Sequence, residues 1–180
     1  MKRLEQLALQ ARYNQWMNDK LYAAAASLPA GAVTRDMGAF FGSMLGTLNH
    51  IVVGDTLWLQ RFASHPAAFA ALQPVQDLPR PASLDGLLFT ELPALQARRQ
   101  LLDRIIITLG AELQEAHLDV VLPYHNTKGV AQHKNFHALL LHFFNHQTHH
   151  RGQASTLLTQ LGAEVGVTDL IALIDDIPPV

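Results

Sequence analysis

Histidine is the residue type in this sequence with the clearest potential for chemistry. The chain contains ten histidines, and eight of them lie between His117 and His150. The densest group is in residues 142–151, which read HFFNHQTHHR. Imidazole nitrogens are common ligands of zinc and other transition metals, and a neutral histidine binds without cancelling the charge of the metal. The clustering therefore indicates a metal site.

The pair His146 and His150 has a spacing suited to metal binding. Side chains four residues apart on a helix lie one above the other, so two imidazole nitrogens can converge on one ion at about 2.0–2.1 Å. At about 100° per residue, His142 and His149 fall on the same side of the helix as this pair. A lone helical histidine is usually a hydrogen-bonded or half-exposed residue, whereas four on one face favour ligands. We predict that all four point into the protein interior.

A third ligand has to come from another helix, and His50 is the histidine in the middle of one. Gly46 and Gly54 lie four residues before and after it. Two small residues beside an imidazole leave space for a substrate, or they allow two helices to pack closely. Three neutral histidines would leave the metal an open coordination position, which is typical of catalytic sites. Such a metal could activate a water molecule or a thiol.

The remaining histidines allow several interpretations. His142 and His149 could contact the ligand histidines, contact a substrate, or form hydrogen bonds in the core, and for His142 we favour the core. If either reached the metal as a fourth ligand, the site would be structural or a sensor. The others in the cluster are predicted to be solvated or at the rim of the site: His117, His125, His133 and His137.

Several other functional classes are excluded by the sequence. Gln147 follows His146, so the general base of H-E-x-x-H zinc proteases is missing. A carboxylate-rich di-iron bundle would need Glu-x-x-His pairs, and the chain has none. Cysteine is absent, which excludes disulfides and thiolate ligands from this chain. The formal charge of −2 gives no basic surface for nucleic acid.

Length and composition predict one domain. The 180 residues, of which 49% are hydrophobic and 16% charged, suit a single compact domain covering 1–180. No apolar stretch approaches the roughly 18 residues that span a bilayer, and the N-terminus lacks the apolar core of a signal peptide. We therefore expect a cytoplasmic protein without membrane contact.

Four segments have apolar residues at intervals typical of amphipathic helices. We predict these helices at residues 3–28, 43–64, 83–116 and 135–161. Ser43 is the expected N-cap of the second, Pro93 a kink or new start in the third, and Gly162 the C-cap of the fourth. Residues 66–81, with four prolines, are predicted to be a loop, and residues 118–133 a small hairpin or two extended legs. The fold class is therefore all-α, a bundle of four helices.

Several blocks of the sequence resemble the DinB/YfiT-like family of metal-dependent helical bundles, and more closely its damage-inducible DinB branch, which is distinct from the DNA polymerase of that label. The most specific block is NHQTHHRGQ at residues 145–153. The others are YNQWMN at 13–18, GS at 42–43, TLNHI at 47–51 and DTLWL at 55–59. We expect the polar and amphipathic residues of the matching segments to serve packing and hydrogen bonds between helices: Asn14, Asp55, Trp58, Tyr124, Asn126, Arg151 and Gln153.

The resemblance implies a four-helix bundle of up-down-down-up topology, frequently a homodimer, with one divalent metal bound by His50, His146 and His150. Zinc or nickel would be the first expectation, with manganese and iron as alternatives. Characterised relatives use a low-molecular-weight thiol, as S-transferases or as a thiol-dependent isomerase. The resemblance therefore favours a metal-dependent transferase or hydrolase acting on a small electrophile, and the alternative is a non-catalytic metal-binding stress-response or interaction protein. It identifies no catalytic residue and no substrate.

Overall fold

The computed structural model describes residues 1–177, and the last three residues of the predicted domain lie outside this range. The described chain is mostly helical, with a small two-stranded sheet. Its α-helices are α1 (Arg3–Ala26), α2 (Met44–Phe62), α3 (Gln73–Gln76), α4 (Leu92–Glu112), α5 (Glu115–Leu118) and α6 (Phe136–Gln160). Strands β1 (Val121–His125) and β2 (Ala131–Asn135) form the sheet, and short 3-10 helices cover Ala32–Thr34, Ala70–Leu72 and Leu170–Leu173.

The four long helices of the described chain, α1, α2, α4 and α6, share one hydrophobic core. Helix α1 packs against α4 and α6, and α2 packs against the same two helices. Each contributes large buried side chains to the core, among them Leu21, Leu48, Leu102 and Phe143. Because α2 and α6 are direct neighbours, residues from their facing sides can form one site.

The N-terminal ends of α2 and α6 are fixed by side chains that accept hydrogen bonds from free backbone amides. The Ser43 hydroxyl accepts a hydrogen bond from the Gly46 amide at 3.0 Å, which confirms the predicted N-cap of α2. Asn135 caps α6 in the same way through the Ala138 amide at 3.0 Å. Gly162, just beyond α6, has φ +84°, the left-handed conformation expected of a glycine that ends a helix.

The third predicted helix begins later than the sequence suggested. Helix α4 starts at Leu92, with Pro93 in its first turn, so the proline marks a new start and residues 83–91 are not helical. The carboxamide oxygen of Asn49 accepts hydrogen bonds from the amides of Leu88 and Phe89, at 2.9 and 3.0 Å. These amides bind a side chain of α2 instead of forming a helical turn. The predicted helix over 83–91 is therefore wrong.

Both longer connections between the long helices contain secondary structure, which was predicted for one of them. Residues 66–81 contain the 3-10 helix Ala70–Leu72 and α3, so this segment is not a simple loop. The predicted hairpin is confirmed: β1 and β2 are antiparallel, with Val121 opposite Asn135 and His125 opposite Ala131. It leads directly into α6 and ends beside the site described below.

None of the helices in residues 1–177 is both long enough and apolar enough to cross a membrane.

Candidate metal site

Three histidine rings meet between α2 and α6. His50 comes from the middle of α2, and His146 and His150 come from successive turns of α6. The Nε2 atom of His50 lies 3.2 Å from Nε2 of His146 and 3.1 Å from Nε2 of His150. All three contribute ring nitrogens that lie within 4.8 Å of one another, and the group could hold a metal ion. His50 is 7% exposed, whereas the other two rings are half-buried.

Hydrogen bonds at Nδ1 of His50 and of His150 determine which nitrogen of each ring faces the cluster. The Nδ1 atom of His50 lies 2.7 Å from the Leu84 carbonyl oxygen, which can only accept, so Nδ1 carries the proton. The Nδ1 atom of His150 likewise donates to the Gln153 carboxamide oxygen at 2.8 Å. In a neutral imidazole the other nitrogen then presents a lone pair, so two lone pairs face each other at 3.1 Å. Two facing lone pairs repel each other, and a cation between the rings would remove this repulsion, which fits a metal site.

Burial keeps these imidazoles neutral. Loss of hydration lowers the pKa of His50, of His150 and most strongly of His146. Together with the neighbouring histidines, burial brings the pKa of His146 to about 3. Its Nδ1 atom is buried and has no hydrogen-bond partner among residues 1–177. The cluster therefore offers uncharged nitrogen donors at neutral pH, the form in which histidine binds metals.

The glycines beside His50 allow close packing of the protein around them. A Cβ atom at Gly54 would lie 2.7 Å from Cε1 of His146, so the ring of His146 occupies the volume of the missing side chain. A Cβ atom at Gly46 would lie 2.1 Å from the Phe41 backbone oxygen. The Phe41 ring stacks on His50 with centroids 3.9 Å apart. The space that the sequence suggested for a substrate is therefore filled by protein at Gly46, whereas Gly54 packs against His146 and also lines a cavity.

The predicted orientation of α6 is wrong by about a quarter turn. Its buried side is centred on Phe143, Gln147 and Ala154, which places His146 and His150 at the edge of the core. His142 and His149, further around the helix, are exposed, and neither belongs to the nitrogen cluster of the described residues. The preference for His142 as a core residue was therefore wrong. The hydrophobic pattern predicted the wrong buried side of α6 because two long polar residues, Gln147 and Arg151, are buried.

These two residues belong to a buried polar network that joins the four long helices of the described chain. Arg99 of α4 pairs with Asp55 of α2 and lies 3.1 Å from Asp103. Gln147 donates to Asp55 at 2.8 Å. Asn14 and Asn18 of α1 donate to Asp103, and Arg151 of α6 donates to Asn14. Structural roles for Asn14, Asp55 and Arg151 are thereby confirmed, whereas Gln153 instead orients a ring of the histidine cluster.

The other histidines lie outside the cluster. His65 is 3% exposed and satisfied within the protein: its Nε2 lies 3.2 Å from the His117 carbonyl oxygen, and its Nδ1 accepts from the Ala67 amide. His117 and His137 are half-buried, and His125 and His133 are exposed, as predicted for solvated or rim residues. The partner that binds Nδ1 of His50 could not be identified from the sequence, because it is the backbone carbonyl of Leu84 and not a side chain.

A cavity of about 250 Å³ opens beside the histidine cluster. His50, Gly54 and His146 form one side of it, and residues of α2 and the hairpin form the other, chiefly Trp58, Arg61 and Tyr124. A second cavity of about 400 Å³ adjoins it and shares Leu57, Leu84, Asn126 and Thr127. We call the cavity of about 250 Å³ the inner cavity. A small molecule bound in it would touch His50 and His146, two of the three histidines. The only signal for Arg61 in the sequence is its spacing of eleven residues from His50, which places both residues on the same face of α2.

Comparisons with known proteins agree with the motif pattern. The family model described as DinB family matches residues 1–177. Protein DinB of Bacillus subtilis (strain 168) is 25% identical to this chain over 159 residues, which cover 87% of each protein. No solved structure matches the chain.

Proposed function

Because this chain belongs to the DinB family, we propose that it binds one divalent metal ion through His50, His146 and His150. The observation that carries this proposal is the convergence of their Nε2 atoms, with separations of 3.1 and 3.2 Å from His50. The proton on Nδ1 of His50, bound to the Leu84 carbonyl, directs a lone pair toward the cluster. Metal-ligating histidines typically hold their outer nitrogen by such a bond.

We propose further that the site is catalytic, with a small electrophile as substrate and a low-molecular-weight thiol or water as the attacking group. A divalent metal in this site would supply Lewis acidity, because three neutral ligands leave its positive charge intact. The chain itself supplies a cavity that is lined in part by His50 and His146. It also partly shields the cluster from bulk water, since His50 is buried and Phe41 covers its ring.

The expected metal is zinc or nickel, with manganese and iron as alternatives. Imidazole nitrogen suits zinc, nickel and iron, and no carboxylate belongs to the cluster in the described chain. A nitrogen-only donor set makes magnesium and calcium poor candidates, because both prefer oxygen ligands.

The family resemblance also leads us to propose a single-domain four-helix bundle of up-down-down-up topology that forms homodimers in the cytoplasm. The packing of α1 and α2 against both α4 and α6 supports the bundle. Light scattering coupled to size-exclusion chromatography tests the dimer: a mass near 40 kDa, about twice the 19.9 kDa of one chain, is expected.

The metal assignment is tested by metal content. Protein purified without an affinity tag is stripped with chelator, reloaded with zinc, nickel, manganese or iron, and assayed by plasma emission. We expect close to one ion per chain, lost in His50→Ala, His146→Ala and His150→Ala. His65→Ala is the matched control, because this buried histidine has its partners outside the cluster.

Circular dichroism of each variant shows whether it remains folded. Equal metal content in folded variants at all four histidine positions would rule out the three-histidine assignment. The catalytic proposal is tested separately, by following thiol consumption with small electrophiles in metal-loaded protein. It fails if wild type and His146→Ala give the same rate with every metal.

A further inference from the structure

Arg61 stands out among the residues that line the inner cavity. It lies in the last turn of α2, and its guanidinium carbon is 4.6 Å from the centroid of the Trp58 ring and 5.1 Å from that of Tyr124. Two aromatic rings thus fix the position of a planar cation. The histidines of the site are neutral, so Arg61 is the cationic side chain that a ligand would meet in the described lining of the cavity.

The Arg61 cation has no anionic partner in the part of the chain that the structure describes. None of the ion pairs of residues 1–177 includes Arg61. Its Nε atom is buried and lacks a hydrogen-bond partner in the same range. By contrast, the buried Arg99 pairs with two aspartates. A half-buried arginine with free donors is costly to leave unpaired, which points to an external anion.

The surrounding charges favour the same type of ligand. Burial and the nearby positive charge of Arg80 both lower the pKa of Arg61, yet an arginine remains protonated in a protein. Arg61 and Arg80 line the two adjoining cavities, and no acid lines either one within residues 1–177. The charge of Asp85 acts on His50, so the positive potential is centred on the two arginines.

We propose that the inner cavity binds a small organic molecule through a carboxylate group, with Arg61 as the residue that recognises it. Both oxygens of a carboxylate match the two-pronged donor geometry of a guanidinium. A carboxylate is favoured over a phosphate because one arginine offers a single charge, and no helix N-terminus in the described chain opens into this cavity. The apolar walls, including Leu57 and Trp58, would contact the rest of the molecule.

This inference rests on the proposed function, because it adds a substrate class to the same site. A carboxylate held at Arg61 would place the remainder of the molecule toward His50 and His146, which border the same cavity of about 250 Å³. The substrate class is therefore a small electrophile that carries a carboxylate. Arg61 would determine specificity and would not itself take part in bond formation.

Benzoate and benzamide are suitable probes, because they have nearly the same shape and differ in charge. Each is titrated into the full-length protein, metal-free and zinc-loaded, while the two indole N–H resonances are followed by NMR. The chain has two tryptophans: Trp58 lines the cavity, and Trp16 on α1 serves as an internal reference. We expect benzoate to shift Trp58 and to bind about tenfold more tightly than benzamide.

Arg61→Met removes the charge and keeps an unbranched chain against Trp58, so benzoate and benzamide should then bind within about twofold of each other. Arg98→Met is the matched control: Arg98 also lies over an aromatic ring, that of Phe89, but outside the cavity, so the benzoate preference should persist. The proposal is overturned by equal binding of both probes to wild type, by absence of any Trp58 shift, by a preference that survives Arg61→Met, or by tighter binding of phenylphosphonate than of benzoate.

The metal proposal and this proposal fail in different measurements. Arg61→Met should retain its metal, since Arg61 is not one of the clustered nitrogen donors. If wild type binds no metal but prefers benzoate through Arg61, the three-histidine assignment fails and the carboxylate site stands. If wild type binds metal but shows no charge preference, the carboxylate site fails alone.

Discussion

Single atoms decide the geometry of the histidine cluster. The Leu84 carbonyl and the Gln153 carboxamide fix the protonated nitrogens of His50 and His150, so their unprotonated nitrogens face one another. His146 has no such partner in the described chain, and its position depends on packing against Gly54. Because interiors are closely packed, one added methyl group at Gly54 must displace this ring.

Gly54→Ala should therefore weaken metal binding. The new Cβ would lie 2.7 Å from Cε1 of His146, and we expect at least about a tenfold loss of zinc affinity, the effect typical of a disturbed ligand orientation. Isothermal titration with zinc in a competing chelator measures it. Gly110→Ala in α4 is the control, because its Cβ would meet open space. Unchanged zinc affinity in Gly54→Ala would contradict the packing argument.

At the level of elements, α2 is hydrogen-bonded to the connection between α3 and α4. This connection contains Leu84, whose carbonyl binds Nδ1 of His50. Asn49 is 1% exposed and binds the Leu88 and Phe89 amides through its oxygen. Its amide nitrogen donates to the Leu45 and Phe89 carbonyls. The neighbouring residue on α2, His50, bonds to Leu84 in the same connection. Asn49 thus holds this connection against α2, and the connection in turn orients the ring of His50 through Leu84.

Asn49→Ala should both destabilise the protein and weaken zinc binding. Leaving buried amides without an acceptor costs about 1–3 kcal/mol, and the released segment no longer holds the Leu84 carbonyl at His50. Urea unfolding and zinc titration measure the two effects. Asn145→Ala, at an exposed position of α6, is the matched control and should change neither quantity. Normal zinc affinity in a destabilised Asn49→Ala would show that the segment does not orient His50.

Across the whole molecule, a buried polar network sets the relative positions of the long helices. Asp55 is 0% exposed and contacts both Arg99 and Gln147, which belong to α4 and α6. Gln147 follows His146 in sequence, and Arg151 follows His150. Fixing these two neighbours fixes the rotation of α6, which in turn directs both histidines toward α2. Fold and site therefore depend on the same polar contacts.

Asp55→Ala should be strongly destabilising, by about 3–5 kcal/mol, because it leaves the buried Arg99 with only part of its charge compensated. The free energy of urea unfolding measures it. Asp119→Ala removes an aspartate from an exposed ion pair with Arg3, so its urea midpoint should stay close to that of wild type. A small effect of Asp55→Ala would show that the network is dispensable.

Metal binding should also stabilise the whole fold, because α2 and α6 both supply ligands in the proposed site. At a free zinc concentration 100 times Kd, the gain is about 2.7 kcal/mol, which raises Tm by several degrees. Differential scanning calorimetry measures it, with excess chelator reversing the shift. His146→Ala should show no increase with zinc. An equal increase in wild type and His146→Ala would place the binding elsewhere.

The sequence by itself determined the mostly helical class, the hairpin before α6, the cap at Ser43 and the three histidines that come together. Most of these follow from local patterns: apolar periodicity, turn residues and the four-residue spacing of His146 and His150. His50 was identified instead as the histidine in the middle of another predicted helix. It misjudged the start of α4, where the Asn49 side chain of another helix takes the backbone amides. A sequence-local rule cannot include such a partner.

The tertiary structure alone decided which way α6 faces and what surrounds the histidines. Gln147 is buried because it donates a hydrogen bond to Asp55 from a distant part of the chain, so the pattern of polar residues along α6 predicted the wrong buried side. The same holds for Arg61, whose unpaired charge is visible only when Trp58, Tyr124 and the absence of acids in the described cavity lining are seen together. Ligand spacing is local, whereas desolvation and charge pairing are properties of the packed molecule.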